Sequence, residues 1–169
     1  MRARTADPRV SEARLAAAGL GALLIAGGAL WLGVMLGWLV PLPAGETAGM
    51  GYLPGLLARS LDAPYAFALL AGLCAVPLHA LFVAQRHGRA AGPAYDMLAG
   101  WAQTLFTSLG FLGTIIGISR AVAGLAPAMA AGEPGDLIAG LSTAFDTTFL
   151  GLSAAILLLV FRKLFGLGA

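Results

Sequence analysis

The sequence predicts an all-α membrane protein with four transmembrane helices, and three observations lead to that class. Hydrophobic residues make up 59% of the chain and charged residues only 11%, whereas about a quarter of an ordinary soluble domain is charged. The mean hydropathy is +0.88, and 24 glycines supply the small side chains that membrane helices use for close packing. A chain of 169 residues has room for about four spans of roughly 20 residues with short connections.

The predicted organisation alternates apolar spans with short polar connections. The segments, in chain order, are a cytoplasmic tail (1–14), a peripheral hairpin (15–84) with an external loop (41–63), a short cytoplasmic turn (85–97), two further helices (98–161) and a cytoplasmic terminus (162–169). We interpret the first apolar run as a retained span, because it is too long for a signal-peptide core and no small-residue cleavage site closes it. Gly33 and Gly37 give this span the spacing of a helix contact. Between the last two helices, residues 122–136 are predicted to form a loop.

Basic residues predict the orientation of the spans. Of the ten Lys and Arg residues, only Arg59 and Arg120 lie outside the tail, the 85–97 turn and the terminus. Connections that are rich in Lys and Arg stay on the cytoplasmic side of the membrane. Both termini are therefore predicted to be cytoplasmic.

Composition argues against several classes of function. The net charge of +2 is too small to indicate a nucleic-acid partner. The single cysteine, Cys74, excludes an intrachain disulfide and a cysteine-based metal cluster. No nucleophile–base pair, phosphate loop or metal-ligand spacing is visible, so we expect no enzyme, no cofactor and no metal site. His79 in the second span suggests a proton relay, but its position close to Arg86 favours a packing or headgroup role.

The last two helices each carry a stripe of small and weakly polar residues at steps of three and four. The third span carries Thr107, Gly110, Thr114, Gly117 and Ala121, and the fourth carries Gly140, Ala144, Thr148, Gly151 and Ala155. Ordinary helix packing, with each hydroxyl bonded to the carbonyl four residues earlier, is one explanation of this pattern. A polar lining near mid-span is the other. The helix-packing residues are predicted to be Gly110, Gly113, Gly117, Gly151, Ala144 and Ala155.

The two stripes also predict an assembly. A four-span chain offers no evident partner for either stripe in the sequence. We therefore predict a closed homo-oligomeric ring in which both stripes face the axis.

The residues around the two central threonines resemble a known family. The run LGFLGTIIG at 109–117 and the run TAFDTTFLGL at 143–152, followed by SAAI, resemble the paired channel helices of the MotA/TolQ/ExbB proton-channel family. The resemblance covers about residues 105–155, with the two signatures in the family's order. It implies that Thr114 and Thr148 line an ion path, and we predict Thr107 and Thr147 as further lining hydroxyls.

The resemblance implies a channel (stator) subunit of an ion-driven rotary motor in the bacterial inner membrane. Several copies, a pentamer in well-studied members, surround a dimeric single-span subunit of the MotB/ExbD/TolR type. The membrane aspartate of that partner carries the ion, expected to be H⁺. A hydroxyl suits such a path because it can donate to a carboxylate and accept from the neutral acid. The alternative is a structural membrane scaffold without an ion pathway of its own.

Two features depart from the family pattern. The short 85–97 turn stands where relatives usually carry a large cytoplasmic domain, which predicts a compact member. Asp146 is an acid within the fourth span, and two residues, about 200° of helix rotation, separate it from Thr148. Three roles stay open for this possible intramembrane acid. It pairs with Arg120 of a neighbouring helix, lies protonated at a subunit interface, or joins the ion path through Ser142 and Thr147.

Overall fold

The chain forms a bundle of long helices. The computed structural model describes residues 12–47, 49–87, 92–132 and 135–164. The elements, in chain order, are α1 (Glu12–Met35), a 3₁₀ turn (Ala44–Thr47), α2 (Tyr52–Asp62), α3 (Pro64–Arg86), α4 (Gly92–Ala131) and α5 (Gly135–Leu164). Within these ranges α1, α3, α4 and α5 are long and apolar enough to cross a membrane. The predicted all-α class with four candidate spans is therefore confirmed.

Two predicted connections are shorter than expected. The prediction of a loop at 122–136 is wrong, because α4 continues to Ala131 and α5 begins at Gly135. Alanine is the strongest helix former, and the alanines of this stretch favour continuation of the helix. The turn at 85–97 also contracts, since only residues 87–91 separate α3 from α4. The predicted loop at 41–63 contains α2 and the 3₁₀ turn.

The helices α4 and α5 form an antiparallel pair, and α3 joins this pair to α1. Ala22 and Ala26 of α1 pack against Ala75 of α3. Near the end of the bundle that carries α2, here called the outer end, Leu69 and Leu70 of α3 cluster with Leu150 of α5. The peripheral helix α1 therefore reaches the α4–α5 pair chiefly through α3.

His79 packs at the opposite, inner end. Its Nε2 donates to the Leu15 carbonyl at 3.0 Å, and its ring stacks on Tyr95 with 5.7 Å between centroids. The side chain is buried. These contacts tie α1, α3 and α4 together, which is the packing role that the sequence favours over a relay.

The α4–α5 pair extends beyond α3 at the outer end. The 40 residues of α4 span about 60 Å at 1.5 Å per residue, whereas the 23 residues of α3 span about 35 Å. Tyr65, in the first turn of α3, lies beside Gly113 and Thr147, and its hydroxyl donates to the Leu109 carbonyl at 2.5 Å. Because α3 begins at this level, the outer parts of α4 and α5 project past it.

Candidate ion-path site

The interface between α4 and α5 brings two backbones into contact. A Cβ atom added to Gly117 would lie 2.5 Å from the backbone nitrogen of Ala144, and one added to Gly151 would lie 2.6 Å from the Phe106 carbonyl oxygen. Neither separation is compatible with a real side chain, so these positions require glycine. All six predicted packing residues are buried: Gly110, Gly113, Gly117, Ala144, Gly151 and Ala155.

The two small-residue stripes therefore face each other within one chain. Gly110 lies against Gly151, and Gly117 lies against Ala144. Our expectation that the stripes lack an internal partner and face the axis of a ring is wrong. The reason is that an antiparallel hairpin places two stripes of equal spacing in register. A ring of copies would have to form through another surface.

Thr114 and Thr148 meet at this interface, near the middle of their own helices and close to the level where α3 begins. Their Oγ1 atoms are in direct hydrogen-bond contact. Each Oγ1 also lies within hydrogen-bond distance of its own helix, at 3.1 Å from the Gly110 carbonyl for Thr114 and 2.8 Å from the Ala144 carbonyl for Thr148. Three hydrogen bonds thus compete for two hydroxyl hydrogens. One bond is always left unmade, and the hydroxyls retain lone pairs that can accept from a third group.

Thr147 and Thr148 point in different directions, because successive helix residues are about 100° apart. Thr147 turns toward α3, where it is fully buried, and its hydroxyl donates to the Thr143 carbonyl at 2.8 Å. The prediction that Thr147 lines the path is therefore wrong for the described chain, since this side chain reaches no surface. Thr148 is half-buried and turns toward the opposite side.

That opposite side is the exposed face of the pair, and we call it the free face. It is lined by Thr107, Phe111, Ile115 and Ile118 of α4 and by Leu141, Phe145 and Leu152 of α5. Thr107 is exposed there, and its hydroxyl donates to the Gln103 carbonyl at 3.0 Å. The Thr114–Thr148 pair is thus a polar spot at the edge of a largely apolar surface.

Asp146 is paired with a residue that the sequence did not indicate. Its Oδ2 accepts from Arg59 Nε at 2.6 Å and its Oδ1 from Arg59 Nη2 at 2.8 Å. The third nitrogen, Nη1, donates to the Thr47 hydroxyl at 2.9 Å. The side chains of Arg59 and Asp146 are 17% and 3% exposed. The hydrogen bond to Asp146 raises the pKa of the Arg59 guanidinium above its ordinary value.

The predicted pairing of Asp146 with Arg120 is therefore wrong. Arg120 is exposed, whereas both carboxylate oxygens of Asp146 are bonded to Arg59. The sequence indicated Arg59 only indirectly, since Arg59 and Arg120 are the two basic residues predicted on the outer side. An ion pair with bidentate geometry accounts for Asp146 without a protonated state or a place in the ion path.

The helices α4 and α5 also form the part of the chain that resembles a known protein family. Residues 93–167 match the model of the MotA/TolQ/ExbB proton channel family, a range that covers nearly all of α4 and α5. Neither the curated proteins nor the solved structures include a match to the chain. The matched range holds the close-packed glycines, both central threonines and Asp146. The part of the chain that forms α4 and α5 is therefore similar to the MotA/TolQ/ExbB proton channel family.

Proposed function

We propose that this chain is the channel (stator) subunit of an ion-driven motor in the bacterial inner membrane. In this proposal a ring of copies, five as in well-studied relatives, surrounds a dimeric single-span partner of the MotB/ExbD/TolR type. H⁺ moves on the partner's membrane aspartate, past the free face of each copy. The motor uses no bound cofactor, and the chain catalyses no covalent reaction. The match of residues 93–167 to the proton channel family and the four apolar helices support the coarser part, a proton-channel role in a multi-pass membrane complex.

The single observation that carries the proposal is the Thr114–Thr148 hydroxyl pair at the edge of the free face. A polar group in a membrane requires a partner, and the two hydroxyls already share their hydrogens with each other and with two carbonyls. A carboxylate from a neighbouring helix can accept one of those hydrogens, and a neutral carboxylic acid can donate to a threonine oxygen. Both protonation states of the partner's aspartate are thus stabilised without a fixed charge that would hold one of them.

The free face, rather than the two small-residue stripes, is the surface that supports a ring of copies. Phe111 and Phe145, on either side of the hydroxyl pair, are 65% and 67% exposed. Such a surface suits either lipid or an apolar protein helix. The adjoining hydroxyls favour a protein helix that carries a polar group of its own, because lipid tails offer no hydrogen-bond partner. A ring of copies would turn several such faces toward one central partner. The membrane potential would then supply about 2.3 kcal/mol per elementary charge per 100 mV to drive movement.

The test is partner-dependent proton flux in vesicles that contain the assembled complex. Thr114→Val and Thr148→Val keep side-chain shape and remove the hydroxyl. A hydrogen bond to a charged group contributes about 1.5–3 kcal/mol, so each variant should lose roughly tenfold to hundredfold in flux if the barrier rises equally. Thr148→Ser should retain most of the flux because it keeps the hydroxyl.

Thr147→Val is the matched control. It removes a hydroxyl one residue away that faces α3, so it should change stability slightly and leave the flux of assembled complexes intact. Wild-type flux in the Thr114→Val/Thr148→Val double variant would end the channel proposal and favour the scaffold alternative. Imaging of the purified complex with candidate single-span partners would count the copies, and a stable monomer would contradict the ring.

A further inference from the structure

The short helix α2 has the opposite polarity from a helix that faces water. Its inward side carries Arg59 and the fully buried Ser60, together with Leu56. Its outward side carries Leu53 and Leu57, which are 58% and 46% exposed. A surface helix of a soluble protein places its charged residues outward and its apolar stripe inward. In α2 the arginine points into the protein, and the leucines point out.

The charge on the inward side is fully satisfied by the protein. Arg59 directs Nε and Nη2 to the Asp146 carboxylate and Nη1 to the Thr47 hydroxyl, at distances of 2.6 to 2.9 Å. Within α2 the other charged residue, Asp62, is exposed at the last position of the helix. The body of α2 therefore turns no charge outward, and Asp62 marks the place where the surface becomes polar.

The outward side of α2 continues the exposed surface at the end of α1. The Leu42 N–H donates to the Ala58 carbonyl at 3.1 Å, which fixes the segment after α1 against α2. Trp38 in this segment is 81% exposed, and Val40 is exposed beside it. Since α1 is one of the candidate spans, exposed apolar side chains at its end suit a lipid environment, and tryptophan is typical of the membrane interface. The exposed leucines of α2 add to this apolar surface.

We propose that α2 is a lipid-facing segment embedded in the outer leaflet, with phospholipid acyl chains covering Leu53 and Leu57. The predicted external loop is then part of the membrane domain, held there by the Arg59–Asp146 pair. An interfacial helix of this kind places its apolar face just below the headgroups. The inference is independent of the proposed ion path, because it uses no residue of the free face.

Quenching of a single tryptophan tests this placement in the full-length chain. Trp31, Trp38 and Trp101 are replaced by phenylalanine, and Leu57→Trp or Leu53→Trp supplies the probe. The chain is reconstituted in phosphatidylcholine vesicles with plain or brominated acyl chains, and iodide is added as an aqueous quencher. Both probes should lose most of their emission in brominated vesicles and little with iodide. Glu46→Trp, at an exposed acidic position of the 3₁₀ turn, is the matched control and should show the reverse.

Two results would overturn the proposal. Strong quenching by iodide without quenching by bromine would place α2 in water. Protection from both quenchers would place a protein surface, such as a second copy, over the leucines. If the tryptophan-free background does not fold, Leu57→Cys combined with Cys74→Ala keeps the native tryptophans. A nitroxide attached at position 57 should then be more accessible to oxygen than to a water-soluble nickel complex, and the reverse order would refute the lipid contact.

Discussion

Glycine has different roles in the two halves of this molecule. In the α4–α5 pair, a Cβ atom added to Gly117 or Gly140 would lie 2.5 Å from a backbone nitrogen of the facing helix. In α1, the same atom added to Gly21 or Gly28 would meet nothing within 4 Å. The residue type is the same, but Gly117 and Gly140 leave no room for a larger side chain, whereas Gly21 and Gly28 do. Small side chains are indispensable where two backbones meet.

The predicted contact at Gly33 and Gly37 illustrates the difference. A Cβ atom on Gly33 would lie 2.8 Å from the Leu39 side chain of its own connection, and Gly37 has a positive φ of 72° in the turn after α1. Among the residues that the structure describes, no helix is seated on this pair of glycines, so that interpretation is wrong. Spacing alone permits a helix contact, and a facing stripe in register is what produces one.

The largest effect is expected from cutting the ion pair that joins the two halves. Asp146→Leu leaves Arg59 without its carboxylate, and breaking a buried pair in this way costs about 3–5 kcal/mol. The lower end is expected here because Arg59 keeps some exposure. Asp146→Asn should be milder, since its amide oxygen still accepts one bond. Thermal unfolding in detergent, followed by circular dichroism, measures both.

The matched double variant Arg59→Leu/Asp146→Leu distinguishes the contribution of the ion pair from the cost of leaving one charge buried without a partner. Replacing both charges by apolar groups is often close to neutral, so the double variant should be more stable than Asp146→Leu alone. Equal losses in the single and the double variant would show that the pair does not couple the two halves.

A smaller effect is expected at the glycines, where the two halves can be compared directly. Gly117→Ala should destabilise α4–α5 by about 1–3 kcal/mol, because its methyl group overlaps the Ala144 backbone. Gly28→Ala should be neutral or stabilise by up to about 1 kcal/mol, since alanine is the better helix former and the site is open. Unfolding of both variants under identical conditions checks the difference. Equal effects of the two substitutions would show that glycine has the same role in both halves.

The smallest effect is expected at the inner end of α4–α5. Arg162 pairs with Asp96 at 2.7 Å, but these side chains are 30% and 37% exposed. An exposed pair contributes about 0–1 kcal/mol, so Asp96→Asn should shift the unfolding transition far less than Asp146→Asn. The same unfolding measurement ranks the two. An equal or larger shift for Asp96→Asn would reverse the ranking of the two ends.

The sequence alone predicted the all-α class and the four candidate spans, and it singled out the two central threonines that are in contact in the structure. Long apolar runs and two short signatures are local features, and local features can be read from a sequence. The orientation of Thr147 was also within reach, since the 100° step that separates it from Thr148 is a property of any α-helix.

Three features could not be predicted, and each depends on distant parts of the chain. The Arg59–Asp146 pair joins residues 87 positions apart, through a helix that lies in a predicted loop. The mutual contact of the two stripes depends on the register of the hairpin, which periodicity does not fix. In residues 122–131, alanine favours continuation of α4, whereas glycine and proline favour its end. The sequence contains both tendencies and does not show which one prevails.

The length of α4 has a consequence for where the hydroxyl pair lies in the membrane. A helix of about 60 Å is twice as long as the hydrocarbon core of about 30 Å, so the length of α4 alone does not fix its depth in the bilayer. The 24 residues of α1 and the 23 of α3 match that thickness closely. Hydrophobic matching therefore fixes the depth of α1 and α3, and the Tyr65–Leu109 hydrogen bond ties α4 to α3. The peripheral hairpin carries none of the proposed ion-path residues, yet it sets the depth of Thr114 and Thr148.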